Sequence, residues 1–359
     1  MAKDLKVVVV GCGGIGTGKH LPALSQVPEV SLVGLCDIVP ERADKAQADF
    51  APKAKVYTDY KKMFDELKPD VVHVCTPNRS HCEITIDALA NGSHVMSEKP
   101  MAKSAADAQK MMDAYKKSGK LLTVGYQNRY RPDSQYLHAA CAAGELGEIY
   151  FAKAHAIRRR GVPTWGVFLN EYEQGGGPLI DIGTHSLDLT LWMMNNYKPK
   201  MVVGSVYKKL GHDCDSGNIF GPWDPKEYTV EDSAFGYIVM EDGATIFLES
   251  SWALNLLDQS EALTTLCGTK AGADMKNGKL TLNSAQYGRG IVTQPNLEAG
   301  GVAFFQGKSG KPADVECRQW INAILTGGQP CVLPEQAFAV TQILEAIYES
   351  GKTGLPVML

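Results

Sequence analysis

Through the first third of the chain, short Val, Ile and Leu runs alternate with helix-like stretches. The apolar runs Leu5 to Val10, Ser31 to Cys36, Val71 to Cys75, His94 to Ser97 and Leu121 to Gly125 are too short and too uniformly apolar for half-solvated strands. Between them, His20 to Gln26, Pro40 to Phe50, Tyr60 to Leu67, His81 to Asn91 and Ala105 to Ser118 carry helical patterning. Such alternation predicts βαβ units and a doubly wound parallel sheet covered on both faces. After Gly125 the pattern changes to period two. Ile149 to Arg158 places Tyr150, Ala152, Ala154 and Ala156 on one face and Phe151, Lys153, His155 and Ile157 on the other. Met201 to Lys209, Ser233 to Met240, Ala244 to Leu254, Ala262 to Cys267 and Lys279 to Asn283 continue as strands with few helices between them. The expectation is an α/β chain with two domains. Residues 1–127 form the parallel sheet, and 128–359 form an α/β domain with a mostly antiparallel open sheet. Two closing helices, Asp314 to Leu325 and Glu335 to Gly351, fit either domain by sequence.

Composition narrows the partners. The 359 residues are 44% hydrophobic and 21% charged, enough apolar material for real cores. The net charge of −4 gives no electrostatic reason for a nucleic-acid or anionic-membrane partner. In Arg158-Arg159-Arg160 the strand period splits the three cations between two faces, so they make no uniform basic patch. No stretch approaches the roughly 18 apolar residues of a membrane helix, and Val7 to Val10 is too short for a signal-peptide core and ends in glycines. The nine cysteines form no CxxC pair, and several lie in apolar strands, as buried thiols of a cytoplasmic protein do. His212-Asp213-Cys214-Asp215 mixes metal-ligand types without a second ligand group at defined spacing, so it reads as a polar loop and no metal is expected.

The glycines carry the first chemistry. Gly11-Cys12-Gly13-Gly14-Ile15-Gly16 fits GxGxxG, follows a strand and opens a helix. Gly11 allows the tight turn, Gly13 lets backbone approach a pyrophosphate, and Gly16 lets helix and strand pack closely, with Gly14 and Ile15 completing the cradle. Asp37 ends the next strand, 21 residues after Gly16, where a carboxylate accepts the adenosine 2′-hydroxyl and repels a 2′-phosphate. The cofactor predicted is NAD rather than NADP.

Three further motifs follow in order: Cys75-Thr76-Pro77-Asn78-Arg79-Ser80-His81, Glu98-Lys99-Pro100, and Gly175-Gly176-Gly177-Pro178-Leu179-Ile180-Asp181-Ile182-Gly183-Thr184-His185. With the glycine loop, they make the chain resemble the Gfo/Idh/MocA family over nearly its whole length. That resemblance implies a Rossmann domain, a C-terminal α/β domain whose open sheet packs in dimers or tetramers, and NAD(P)-dependent oxidation of sugars, glycosides or cyclitols. It also assigns roles to Lys99, Asp181 and His185. These make chemical sense. Oxidising a secondary alcohol leaves a hydroxyl proton for a general base, and Asp181 and His185 sit one helical turn apart, where a carboxylate orients an imidazole. Lys99 follows a parallel strand, at the edge where such sheets bind ligands, as base or as alkoxide stabiliser.

Thr76, Asn78, His81, Glu98, Lys99 and Gln127 are expected beside the cofactor. Asn128, Arg158, Trp165 and Asp188 are expected to bind a sugar or polyol. The Arg158 to Trp165 and Gly175 to His185 stretches look most like members acting at C3 of glucosides. Two other functions share these motifs: a glycosidase using NAD for transient oxidation and elimination, and a non-catalytic NAD- or sugar-sensing protein.

Overall fold

The computed structural model describes residues 4–212, 217–276, 278–297 and 311–359. The chain forms two compact units, Met1–Gln127 with Gly310–Phe338, and Asn128–Ser309 with Ala339–Leu359.

In the first unit, six parallel strands lie in the order β3-β2-β1-β4-β5-β6. They are β1 (Leu5–Val10), β2 (Val30–Cys36), β3 (Lys55–Tyr57), β4 (Val71–Val74), β5 (His94–Ser97) and β6 (Leu122–Val124). Val7, Val8, Val9, Val71, Val72 and Val74 are fully buried, as a sheet covered on both faces requires. Strand order reverses at the β1–β4 pair, and ligands bind such sheets beyond the carboxyl ends of the strands at that point. Helix ends carry ordinary signals: the Asp59 side chain accepts the Lys61 N–H, and that of Ser104 accepts the Asp107 N–H. β3 is a three-residue edge strand that periodicity missed.

Both closing helices were open by sequence. Pro312–Thr326 joins the first unit, where Cys317, Trp320 and Ile321 enter the core with Leu21, Leu24 and Val9. The helix Pro334–Thr353 begins in the first unit and continues in the second.

The second unit holds a nine-stranded sheet in the order β14-β13-β12-β11-β7-β10-β9-β8-β15. Its strands are β7 (Ile149–Ile157), β8 (Pro199–Tyr207), β9 (Ser233–Met240), β10 (Thr245–Ser251), β11 (Ser260–Gly268), β12 (Ala271–Lys276), β13 (Lys279–Gln286), β14 (Arg289–Thr293) and β15 (Val357–Met358). Every pairing is antiparallel except β10 with β7. One face is dominated by small residues: Ala152, Ala154 and Ala156 are fully buried, and a Cβ on Gly204 or Gly236 would meet Ile347 at 2.5 Å. Small side chains let helices lie close to this face. The helix Thr184–Met194 is tied to it by the Ser186 hydroxyl, which donates to the His155 carbonyl. The other face keeps an aromatic row. Phe247 lies 5.8 Å from Phe151 and 5.1 Å from Tyr237 between ring centroids, and Phe247, Tyr207 and Val203 are exposed.

Candidate active site

The first unit gathers three loops at the carboxyl ends of β1, β4 and β5. Gly11 has φ of +98°, and a Cβ there would sit 2.5 Å from the Cys75 carbonyl oxygen, so glycine alone lets the β1 loop lie against the β4 loop. A Cβ on Gly16 would sit 2.3 Å from the Gly11 carbonyl oxygen. Gly13 and Gly14 instead face open space, and Gly14 and Ile15 are exposed. The turn is closed on its strand side and open outward, as a pyrophosphate cradle must be. From Gly16 to His20 the chain takes a π-helical turn before Leu21–Leu24 continues as α-helix, the Leu21 N–H reaching back to the Gly16 carbonyl.

Asp37 is nearly buried, and its two carboxylate oxygens accept the Cys12 N–H at 2.8 Å and the Val39 N–H at 2.9 Å. Each oxygen keeps a lone pair for a ribose hydroxyl. On the β4 loop, the Thr76 hydroxyl oxygen is buried with no hydrogen-bond partner, an orphan at the edge where a dinucleotide would lie. These features fit NAD. Asn78 opens a short turn beside Thr76, and Lys99 is half-exposed after β5 with its backbone N–H on Glu98 Oε2 at 3.1 Å.

Two of the expected cofactor contacts are structural. The His81 ring is fully buried, its Nδ1 2.9 Å from the Pro100 carbonyl and its Nε2 2.9 Å from the Thr76 carbonyl. It ties the loop after β4 to the loop after β5 rather than facing a ligand. Burial pushes its pKa down against the pull of the two carbonyls. Glu98 is also buried, with Oε1 taking Lys19 Nζ at 2.6 Å and His20 Nε2 at 2.8 Å. Lys19 also meets Glu316 Oε2 at 2.8 Å, and His20 Nδ1 lies 2.8 Å from His73 Nδ1. This cluster ties the cofactor-loop helix to β4, to the Lys99 loop and to the Pro312–Thr326 helix. Gln127 and Asn128 are half-buried at the start of the short turn Gln127–Tyr130.

In the second unit, two of the three glycines before Asp181 make room for neighbours. A Cβ on Gly176 would overlap the Tyr348 hydroxyl at 2.0 Å, and one on Gly177 would meet the Glu231 carbonyl at 2.3 Å. The buried Glu231 carboxylate accepts N–H bonds from Gly177 at 2.8 Å and Leu179 at 3.1 Å, and the Tyr348 hydroxyl at 2.8 Å. Burial nevertheless pushes its pKa up. Glu231 thus satisfies orphan donors at the start of the helical segment that bears Asp181. Leu179–Gly183 is a second π-helical turn, and His185 follows it at the second position of Thr184–Met194. Asp181 and His185 are both half-exposed, and the buried Trp252 donates its indole N–H to Asp181 Oδ2 at 3.1 Å.

Asp188 is not a substrate ligand. It is 1% exposed and holds the wholly buried Arg129 in a fork, Nε to Oδ2 at 2.9 Å and Nη2 to Oδ1 at 2.6 Å. Both carboxylate oxygens face a guanidinium, so the pair fixes the Gln127–Tyr130 turn to the Thr184–Met194 helix. Arg158 is half-exposed and forked onto Glu261, Nε and Nη2 each at 2.6 Å from a carboxylate oxygen. Trp165 is 52% exposed, edge-on to Phe220. Residues 213–216 of the mixed-ligand loop lie outside the described residues.

Residues 5–126 match the oxidoreductase family with an NAD-binding Rossmann fold, and 134–274 match the GFO/IDH/MocA C-terminal domain. The Escherichia coli D-glucoside 3-dehydrogenase is 37% identical over 100% of this chain and 98% of its own. The inositol 2-dehydrogenase of Salmonella paratyphi B is 32% identical over 54% of this chain and 56% of its own. A levoglucosan dehydrogenase in complex with NADH shares the fold at a TM-score of 0.83, covering 99% of this chain and 98% of that one at 21% identity. With both family regions matched and a full-length relative at this identity, the chain belongs to the GFO/IDH/MocA family of NAD-binding oxidoreductases.

Proposed function

We propose that the chain is an NAD-dependent dehydrogenase that oxidises a secondary hydroxyl of a sugar or polyol, with glucosides oxidised at C3 as the leading substrates. The observation that carries this is the full-length likeness to a D-glucoside 3-dehydrogenase in a chain that keeps Lys99, Asp181 and His185 together. NAD, when bound, supplies the acceptor for the hydride from the carbinol carbon. Gly11, Gly13, Gly14, Ile15 and Gly16 cradle its pyrophosphate, Asp37 takes the adenosine ribose, and Thr76, Asn78 and Gln127 lie along the rest. His185 or Lys99 takes the hydroxyl proton, and the other holds the developing negative charge on oxygen. Asp181, fixed by Trp252, orients His185. Asn128 meets the ring being oxidised, and Arg158 and Trp165 meet the part of the glycoside beyond it.

Incubation with NAD and a panel of glucosides and inositols, read at the NADH absorbance band together with sugar release, tests this. NADH growth with NAD but little with NADP is the expected result. Release of aglycone without NADH points to a glycosidase, and silence on both readouts points to a sensor; either overturns the proposal.

The partner of the open sheet is a second copy of the chain, giving a dimer or tetramer in the cytoplasm. The exposed row of Phe247, Tyr207 and Val203 supports this, since apolar sheet surface of this kind needs a cover. Light scattering should find an oligomer that Phe247→Lys dissociates; a monomeric wild type sinks the idea. Among the described residues no helix is long and apolar enough to cross a membrane.

A further inference from the structure

Three loops of the second unit enclose a small cleft. The hydroxyl of Thr164 donates to the Phe220 carbonyl at 2.6 Å, and Asn218 accepts the Val162 N–H and donates to the Val162 and Gly221 carbonyls. Gln259 Oε1 accepts the Arg159 N–H at 3.0 Å. These bonds fix the loops around a volume of about 280 Å³ lined by Ile157, Arg158, Phe220, Gln259 and Glu261. That is the low end of the roughly 300–1,000 Å³ of small-molecule sites, room for one ring rather than a chain segment.

Its chemistry is specific. The Arg158 guanidinium lies 6.0 Å from the Phe220 ring centroid and forks onto Glu261 at 2.6 Å. Phe220 meets Trp165 edge-on at 4.8 Å, and Trp165 meets Phe168 at 5.8 Å, so the aromatic side of the cleft is a packed cluster yet partly open, with Phe220 40% and Trp165 52% exposed. An aromatic surface beside a neutralised Arg–Glu pair suits a ligand with a flat C–H face and several hydroxyls at its rim. An anion finds its cation already answered, and a flat aromatic group leaves the hydrogen-bonding rim unused. The cleft is also joined to the proposed chemistry within the same unit: Phe168 packs on Trp252 at 6.4 Å, and Trp252 donates to Asp181.

We propose that this cleft is a second carbohydrate subsite, which takes the pyranose ring linked to the ring being oxidised, so that the enzyme prefers disaccharide glycosides over simple ones. This rests on the dehydrogenase reading above. The ring lies against Phe220 while its hydroxyls donate to Glu261 and accept from Arg158.

Steady-state oxidation of methyl glucoside and of a glucose disaccharide should be compared in the wild type, Phe220→Ala and Glu261→Gln, with light scattering on each. The expected result is that both variants raise KM for the disaccharide about ten-fold, the loss of one hydrogen bond to a charged group or one ring contact. Methyl glucoside should stay within about two-fold, because it leaves the cleft empty. Equal changes on both sugars overturn the subsite, as does a wild type with no disaccharide preference. So does a changed oligomeric state with unchanged KM, which would make the cleft a contact between copies. Calorimetric titration of the disaccharide onto NAD-loaded protein separates the two failures. Binding that the variants weaken supports the subsite even if no sugar is oxidised, and binding that they leave unchanged refutes it.

Discussion

Lys19→Met is expected to destabilise the first unit by about 3–5 kcal/mol, the cost of stranding a buried charge without its partner. Lys19 is 7% exposed and lies between two buried carboxylates, Glu98 at 2.6 Å and Glu316 at 2.8 Å. Burial alone would lower its pKa, but Glu316 and Glu98 outweigh burial and raise it. Burial likewise pushes Glu98 up, and Lys19 with His20 reverses this and holds it well below the ordinary range. Glu316 goes the other way: burial raises it, and Lys19 does not recover the whole cost. His73, also in the cluster, is driven well down by burial and by its neighbours His20 and Lys19, so it stays neutral. Methionine matches the length of lysine but leaves two carboxylates in one dry space. One of them must then take up a proton at a pH where its unfolded counterpart, with a pKa near about 4.3, is ionised. The folded variant thus binds more protons than the unfolded chain, and its stability falls as pH rises through that window. The deficit against wild type should be largest at pH 7.5 and shrink towards pH 5.5. Scanning calorimetry at both values reads this, and Glu316→Gln in the Lys19→Met background should return part of the loss. A deficit that does not change with pH, or one below about 1 kcal/mol, would show that the cluster carries little of the fold.

That cluster also marks the limit of what the chain discloses before folding. The parallel sheet, the glycine turn and Asp37 are legible because each signal is local: an apolar run, a GxGxxG, a carboxylate at the next strand end. Lys19 lies three residues past the end of the same motif, yet a lysine in a short helix reads as surface. Its partner Glu98 lies 79 residues away, and nothing local points to it. Glu231, which completes the start of the segment bearing Asp181, is 54 residues from Gly177. Asp188 illustrates a signal that the sequence does carry. Its helix, THSLDLTLWMM, is apolar on nearly all sides, so the helix is buried, and a carboxylate inside it demands a cation. That demand excludes a solvent-facing sugar ligand without naming Arg129. The short strands β3, β14 and β15 escaped notice because two to five residues at a sheet edge carry too little periodicity to register. The two π-helical turns, at Gly16–His20 and Leu179–Gly183, are a further case. Glycines announce a break in both places, but the extra residue in the turn is set by packing: Gly16 lies on the Gly11 carbonyl and Gly183 on Ser250.

His185→Asn and Lys99→Met should each cut kcat by about 10²–10⁴, the usual contribution of a positioned acid–base or charge-stabilising group. NAD affinity should change by no more than a few-fold, since the cradle and Asp37 are untouched. The sugar KM should move little, because asparagine and methionine preserve the volume against which substrate rests. In the proposed mechanism the two residues divide the proton chemistry, and their smaller variants tell which does what. An alanine at the base leaves a hole that a small exogenous base can enter. Added imidazole should therefore restore turnover to His185→Ala if His185 takes the proton, and added primary amine should restore it to Lys99→Ala if lysine does. The residue that only holds charge on oxygen is not rescued by a base whose strength is varied. Asp181→Asn provides an internal control. Its amide oxygen still accepts the Trp252 indole N–H, so the segment keeps its local anchor while the carboxylate charge proposed to orient the imidazole is gone. A smaller loss in kcat with a displaced pH profile is expected, because a neutral orienting group holds the ring but no longer favours its protonated form. If His185→Asn and Lys99→Met both retain more than about a tenth of wild-type kcat, neither supplies the expected acid–base power. The proton must then leave by another route, and the family motif in this chain would mark position rather than chemistry.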